Sequence, residues 1–271
     1  MTCFVLDFRS SPRGGAVVPG VLDPSGPGID VLQSCSSVTF LLHGFNVDRS
    51  NGTAELTALA NELSATTTGA AVAVLWSGDS VAGPLSYPFE TNNADDTAVE
   101  LTKFIADWLP QRPRLSLVAH SLGCRVAMET VRHLWIKDIP VAQVCLMAAA
   151  IDNDSLGDIA SYQGAAEHAA RVAVLYSPSD RVLRYAYPVG NQLSAFLHWT
   201  RTTDAALGYS GPVAEAAESI PSDVVPVGIP AAAGADHGDY LPAATGAINP
   251  LQAAAAAFAN AVLLGTAPLV Y

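Results

Sequence analysis

A chain of 271 residues, half of them hydrophobic and only 14% charged, is long enough to bury a substantial core and too apolar to stay disordered. Its formal net charge of −12 argues against nucleic acid or an anionic membrane surface as a partner. The four cysteines, Cys3, Cys35, Cys124 and Cys145, form no CxxC pair, which argues against a zinc site.

The opening "MTCFVLDFRSSPRGG" lacks a basic n-region, and Asp7 interrupts its apolar run, so no signal peptide is read there. Cys3–Phe8 is predicted as a first strand. Gly14–Gly28, rich in Gly and Pro, is predicted as turns with an edge hairpin, so residues 1–36 read as N-terminal strands and turns. Val38–Gly44 is an apolar strand, and Thr53–Ala65 a helix with Leu56, Leu59, Ala60 and Leu63 on one face. Ala70–Trp76 is a buried strand, Ser77–Phe89 a loop and Asn92–Leu109 a helix.

"RLSLVAH" is the next strand, followed by a helix over Leu122–Trp135. "AQVCLMAAA" and "RVAVLYS" are strands on either side of a weakly helical Leu156–Ala170. "SDVVPVG" is the last strand and Leu251–Leu264 the last helix. That final run is mostly alanine, contains Gln252 and Asn260, and is shorter than the roughly 20 residues a membrane span needs. The expected compartment is the cytoplasm.

Strands apolar throughout and separated by helices predict a mostly parallel sheet covered on both faces, in an α/β fold. The whole chain, 1–271, reads as one such domain. In these sheets ligands bind beyond the carboxyl ends of the strands, so the residues that follow each strand are the candidates.

One such place is Ala119-His120-Ser121-Leu122-Gly123, between an apolar strand and a helix. It resembles the nucleophile elbow of α/β-hydrolases, G-x-S-x-G, with alanine in the first small position. Small residues flank the serine because its backbone is strained and bulk on either side would collide with neighbouring elements. The competing reading is structural, since serine and glycine are common at helix N-termini.

A serine hydroxyl needs a base, and the base needs an orienting acid. In α/β-hydrolases these follow the serine in the order acid, then histidine. His237, in "GADHGDY" between the last strand and the last helix, is the favoured base. His168 sits at the amino end of a strand, and His198 in the aromatic "SAFLHWT", where a packed histidine is the plain expectation. Asp180 follows "RVAVLYS" at a strand's carboxyl end and is the favoured acid. Asp152 holds the same position one strand earlier and is the alternative. Asp236 and Asp239 read as loop-shaping residues.

The chain resembles bacterial α/β-hydrolases of a branch classed as a domain of unknown function. Five motifs carry the resemblance: His43-Gly44-Phe45-Asn46 with a later strand ending in Trp76, Ala119–Gly123, Asp152-Asn153-Asp154, Ser177–Asp180 and His237–Tyr240. The match covers roughly Ser37 to Tyr240. The resemblance implies a Ser-His-Asp hydrolase with no cofactor and no metal, and accepts alanine at 119. It also implies an oxyanion hole made by the backbone N–H groups of Phe45 and Leu122, with His43 pinning the loop or bordering the pocket.

Only about 20 residues separate the strands ending at Ala149 and beginning at Arg171, too few for a large cap domain. The pocket walls are therefore expected from Ser77–Phe89, with Tyr87, and from an insertion over 181–222 that carries Tyr185, Tyr187, Phe196, Trp199 and Tyr209. The expectation is a carboxylesterase acting on small short-chain or aromatic esters, not on interfacial lipid. An acyltransferase using the same residues and a non-catalytic binding protein with this fold are the alternatives. The sequence leaves the oligomeric state open.

Overall fold

The computed structural model describes residues 2–9, 27–64, 69–78, 87–187, 205–214, 218–243, 247–267 and 269–271. Its centre is a seven-stranded, wholly parallel sheet in the order β1-β3-β2-β4-β5-β6-β7. The strands are β1 (Thr2–Asp7), β2 (Ser37–Leu42), β3 (Ala70–Leu75), β4 (Arg114–His120), β5 (Gln143–Met147), β6 (Val172–Tyr176) and β7 (Val224–Gly228). All six residues of β3 are buried, which its unbroken "AAVAVL" requires of a strand covered on both faces.

The helices are α1 (Pro27–Ser34), α2 (Arg49–Ser64), α3 (Tyr87–Trp108), α4 (Gly123–Ile136), α5 (Gln163–His168), the one-turn α6 (Leu207–Ser210) and α7 (Pro250–Leu264). From β2 the chain crosses through α2 to β3, toward one edge. From β3 and β4 it crosses through α3 and α4 toward the other. Right-handed crossovers in opposite directions put these helices on opposite faces. Accordingly α2 packs with α7, and α4 with α3 and α5. Leu56, Leu59, Ala60 and Leu63, the predicted stripe of α2, are all essentially inaccessible.

Several boundaries differ from those predicted. Pro27–Ser34 is a helix, not a turn. Proline is tolerated in the first turn of a helix, where its missing N–H leaves no bond unmade. Ile29 and Leu32 anchor α1 in the core. The rest of the expected N-terminal hairpin lies outside the described residues. α2 begins a turn earlier than Thr53 because the Asp48 carboxylate accepts the Asn51 N–H at 2.8 Å. α3 begins at Tyr87, five residues ahead of its predicted start. α5 is only six residues long: the stretch before it is held in turns, with Asp158 accepting from Ala160 N–H and Ser161 Oγ.

Because every strand pair is parallel, the carboxyl ends of β2, β4, β6 and β7 lie along one edge of the sheet. The residues that follow them, Gly44, Ser121, Asp180 and His237, meet there. β7 is an edge strand and carries Pro226, which no central strand would accommodate.

Candidate active site

Ser121 follows β4 directly and has φ +55°, the left-handed region that costs a non-glycine residue strain. The turn is held from both sides. Ser121 N–H donates to Met147 O at 3.0 Å, and the N–H groups of Cys124 and Ala150 donate to Ser121 O at 3.0 and 3.1 Å. The flanking glycines have a steric cause. A Cβ on Gly123 would lie 2.3 Å from the His43 carbonyl oxygen, and one on Gly44 2.9 Å from Ser121 Cβ. Serine is buried here to 5% exposure, yet its Oγ lies in contact distance of a base.

That base is His237, in the short 3-10 turn His237–Asp239 beyond β7. Its Nε2 is 2.8 Å from Ser121 Oγ, and its Nδ1 is 2.8 Å from Asp180 Oδ2. Asp180 is fully buried and its other oxygen accepts Leu183 N–H at 2.9 Å. Each carboxylate oxygen thus has a donor, which offsets the cost of burying the charge. A serine, a histidine and a carboxylate in this sequence of contacts can move a proton from the hydroxyl to Nε2 while Nδ1–H stays hydrogen-bonded.

The loop that carries His237 is tied down at several points. Ser177 Oγ donates to Ala235 O at 2.7 Å. Asp236 accepts the His237 N–H at 2.9 Å and pairs with the Arg181 guanidinium, and Asp239 accepts the Asp236 N–H at 2.9 Å. Sequence reasoning passed over one member of this set, His120. Its Nε2–H donates to the His237 carbonyl at 2.9 Å, and the two rings lie 4.9 Å apart between centroids. Burial, with His237 beside it, lowers the His120 pKa to about 3, so the ring is neutral. Its position next to the serine was the only available signal.

His43 does not border the cavity at Ser121. It lies fully buried beneath the loop after β2. Trp76 N–H donates to its Nε2 at 3.3 Å, so Nδ1 carries the proton and donates to Gly44 O at 2.8 Å. The Trp76 indole N–H in turn donates to His43 O at 3.0 Å, and the two rings stack. This clamp fixes the direction of Gly44 and Phe45. Burial lowers the His43 pKa from 6.5 to about 4, against the Gly44 hydrogen bond that favours the charged form.

Between those two values the unfolded chain binds a proton that the folded one excludes, so stability falls as pH drops below 6.5. The contribution of His43 is about 2 kcal/mol by about pH 5. Urea denaturation at about pH 7.5 and pH 5 is expected to show a loss that much larger in the wild type than in His43→Asn. Equal losses would contradict a buried neutral His43.

Two cavities open on either side of Ser121, and both are lined by Phe45, Ser121 and His237. One, of about 270 Å³, is closed by Ala150, Val182, Leu183, Ala186 and Tyr187. The other, of about 250 Å³, extends past His120 and Gly238 to Glu55, Leu241 and Gln252. Of the expected wall residues, Tyr187 is in place and Tyr185 is not. Val182–Ala186 forms a π-helical turn, and its inner face carries 182, 183, 186 and 187. Tyr185 falls on the outer face, 62% exposed, with the Arg184 guanidinium 5.2 Å from its ring centre. Tyr209 packs against the core. Phe196, Trp199, His198 and the side chain of Tyr87 lie outside the described residues.

Asp152 is not brought to His237 by any contact described. Its Oδ1 accepts the Tyr187 hydroxyl at 2.8 Å, beside the apolar cavity. His168 lies away from the site, with its Nε2 2.9 Å from Ile139 O. Leu122, at the start of α4, is fully buried, and its N–H has no acceptor among the described residues. Phe45 follows Gly44 on the other side of Ser121. Among the described residues no group of three His, Cys, Asp or Glu could hold a metal, and no helix is long and apolar enough to cross a membrane.

The parallel sheet, with a strained serine between β4 and α4, is that of an α/β-hydrolase. The chain belongs to the family of alpha/beta hydrolases of unknown function (DUF900), whose profile matches residues 31–195. The match takes in Phe45, Ser121 and Asp180 and ends before His237. No curated protein matches the chain.

Similar solved structures include a metagenome-derived lipolytic enzyme of the LipS and LipT pair, at 14% identity over 72% of this chain and 83% of that one, with a TM-score of 0.38. The catalytic core domain of acetyl xylan esterase from Trichoderma reesei is 13% identical over 85% of this chain and 96% of its own, with a TM-score of 0.39. A type II thioesterase of the yersiniabactin pathway is 13% identical over 85% and 93%, with a TM-score of 0.37. At these values the likeness says nothing of substrate.

Proposed function

We propose that this hydrolase cleaves small carboxylic esters through an acyl-enzyme. The observation that carries the reading is the pair of 2.8 Å contacts that join Ser121 Oγ to His237 Nε2 and His237 Nδ1 to Asp180, with the serine held at positive φ. Neutral His237 takes the Ser121 proton as Oγ attacks the carbonyl carbon. Asp180 keeps the proton on Nδ1 and stabilises the imidazolium that forms. The N–H groups of Phe45 and Leu122 receive the oxyanion, and the first N–H of a helix adds a favourable dipole there.

Collapse of the tetrahedral intermediate breaks the bond to the alkoxy oxygen, which leaves with the proton from His237. Water then repeats the sequence on the acyl-enzyme. Both cavities fall just under the roughly 300 Å³ at which ligand pockets usually begin, which favours a short acyl group and a small alcohol. The chain acts as one unit in this reading, and the stretch 181–222 contributes the wall at Val182, Leu183, Ala186 and Tyr187.

A series of p-nitrophenyl esters of increasing acyl length tests the reading. Cleavage of the short esters with a falling kcat/KM as the chain outgrows the cavity is expected. Absence of cleavage at every length would overturn it.

A further inference from the structure

The two cavities beside Ser121 differ in chemistry. The one bounded by Val182, Leu183 and Ala186 offers methyl and methylene groups. The other contains a carboxylate, Glu55, on the face of α2 that looks toward the site. Among the described residues Glu55 has no hydrogen bond or ion pair, and no lysine or arginine among them lines this cavity. His120, in the same wall, is neutral. Gln252 is already engaged, its Oε1 accepting the Asn249 N–H at 3.1 Å.

A half-buried carboxylate without a partner is costly, and burial together with nearby Asp48 raises the Glu55 pKa. A cation placed beside it removes that cost, and the protein's net charge of −12 draws cations to the molecule.

We propose that this cavity receives the leaving alcohol, and that the alcohol carries a protonated amine which pairs with Glu55. The inference rests on the esterase reading and specifies its substrate class: esters of small amino alcohols, with the acyl group in the apolar cavity. In the acylation step Ser121 Oγ bonds to the carbonyl carbon and the carbon–alkoxy bond breaks. The serine proton passes through His237 to the departing alkoxide, so the amino alcohol leaves with its ammonium charge unchanged. Glu55 takes no part in proton transfer and is a specificity-determining residue.

The test compares butyrate esters of N,N-dimethylaminoethanol and 3-methylbutanol, which have the same shape and differ by the charge of the protonated nitrogen. At neutral pH the wild type is expected to favour the cationic ester by about tenfold in kcat/KM, with the ratio falling as salt is raised. In Glu55→Gln the ratio is expected to fall to near unity. A wild-type ratio of one or less overturns the inference, as does a ratio unchanged in Glu55→Gln. The salt dependence in the wild type serves if that variant does not fold. If p-nitrophenyl butyrate is cleaved and neither alkyl ester is, the substrate class is wrong and the esterase reading stands. If p-nitrophenyl butyrate is also inert, both fall.

Discussion

Ser121→Ala is expected to lower kcat/KM on p-nitrophenyl esters on the order of 10⁴-fold or more. The variant keeps both cavities and the N–H groups of Phe45 and Leu122 proposed to bind the carbonyl, but has no atom to form the proposed acyl-enzyme. What remains is the residual catalysis of a preorganised site acting on water, which is why the loss is large but finite. Alanine at a φ of +55° is somewhat strained, as the serine is, so the fold is expected to survive with little change in stability. Circular dichroism alongside the kinetics separates loss of chemistry from loss of structure. A folded Ser121→Ala protein with most of its activity would remove Ser121 from the mechanism.

The second large effect concerns the acid. Asp180→Asn is expected to reduce kcat by roughly 10³–10⁴-fold. Asparagine nearly preserves the shape, but its amide can donate to His237 Nδ1. The ring then carries its proton on Nε2, facing Ser121 Oγ, and can no longer accept the serine's proton. The Leu183 N–H would still find the side-chain oxygen, so the turn that begins there is kept. Asp152→Asn is expected to behave differently. It weakens the hydrogen bond to Tyr187, which lines the apolar cavity, so KM moves more than kcat and the total change stays within about tenfold. If Asp152→Asn proves the more damaging of the two, the acid is misassigned.

The contrast between those two aspartates shows what the sequence could and could not reveal. Both follow an apolar strand at its carboxyl end, and a one-dimensional pattern ranks them only by precedent. What separates them is where the loop after β7 returns, a tertiary fact: it brings His237 Nδ1 to 2.8 Å from Asp180. The same limit explains Tyr185 and Tyr187. Two residues apart in an unassigned segment, they look equivalent until a helical turn sends one inward and the other to solvent.

Apolar periodicity was enough to recover the sheet and the main helices, because a strand buried on both faces carries few polar residues to confuse the pattern. It failed at α1, where Gly and Pro read as a turn although proline was only opening a helix. Glu55 was invisible for another reason. On α2 it is an ordinary charged residue of a surface helix, and only the approach of Gly238 and Gln252 from the far end of the chain turns its surroundings into a cavity.

The loop with His237 hangs from β7, the sheet's outermost strand, which has a neighbour on one side only and a proline that cannot donate to the ladder. Ser121, by contrast, is fastened between central strands. In the proposed mechanism function therefore depends on the margin of the molecule as much as on its middle, and the margin opens at lower free-energy cost. Warming is expected to silence the protein while most of its secondary structure persists, with activity lost at temperatures below the circular dichroism transition. Coincident losses would mean that β7 is bound as firmly as the rest. With the earlier loss of activity expected here, the strength of the outermost strand, rather than that of the core, sets the temperature range over which this protein works.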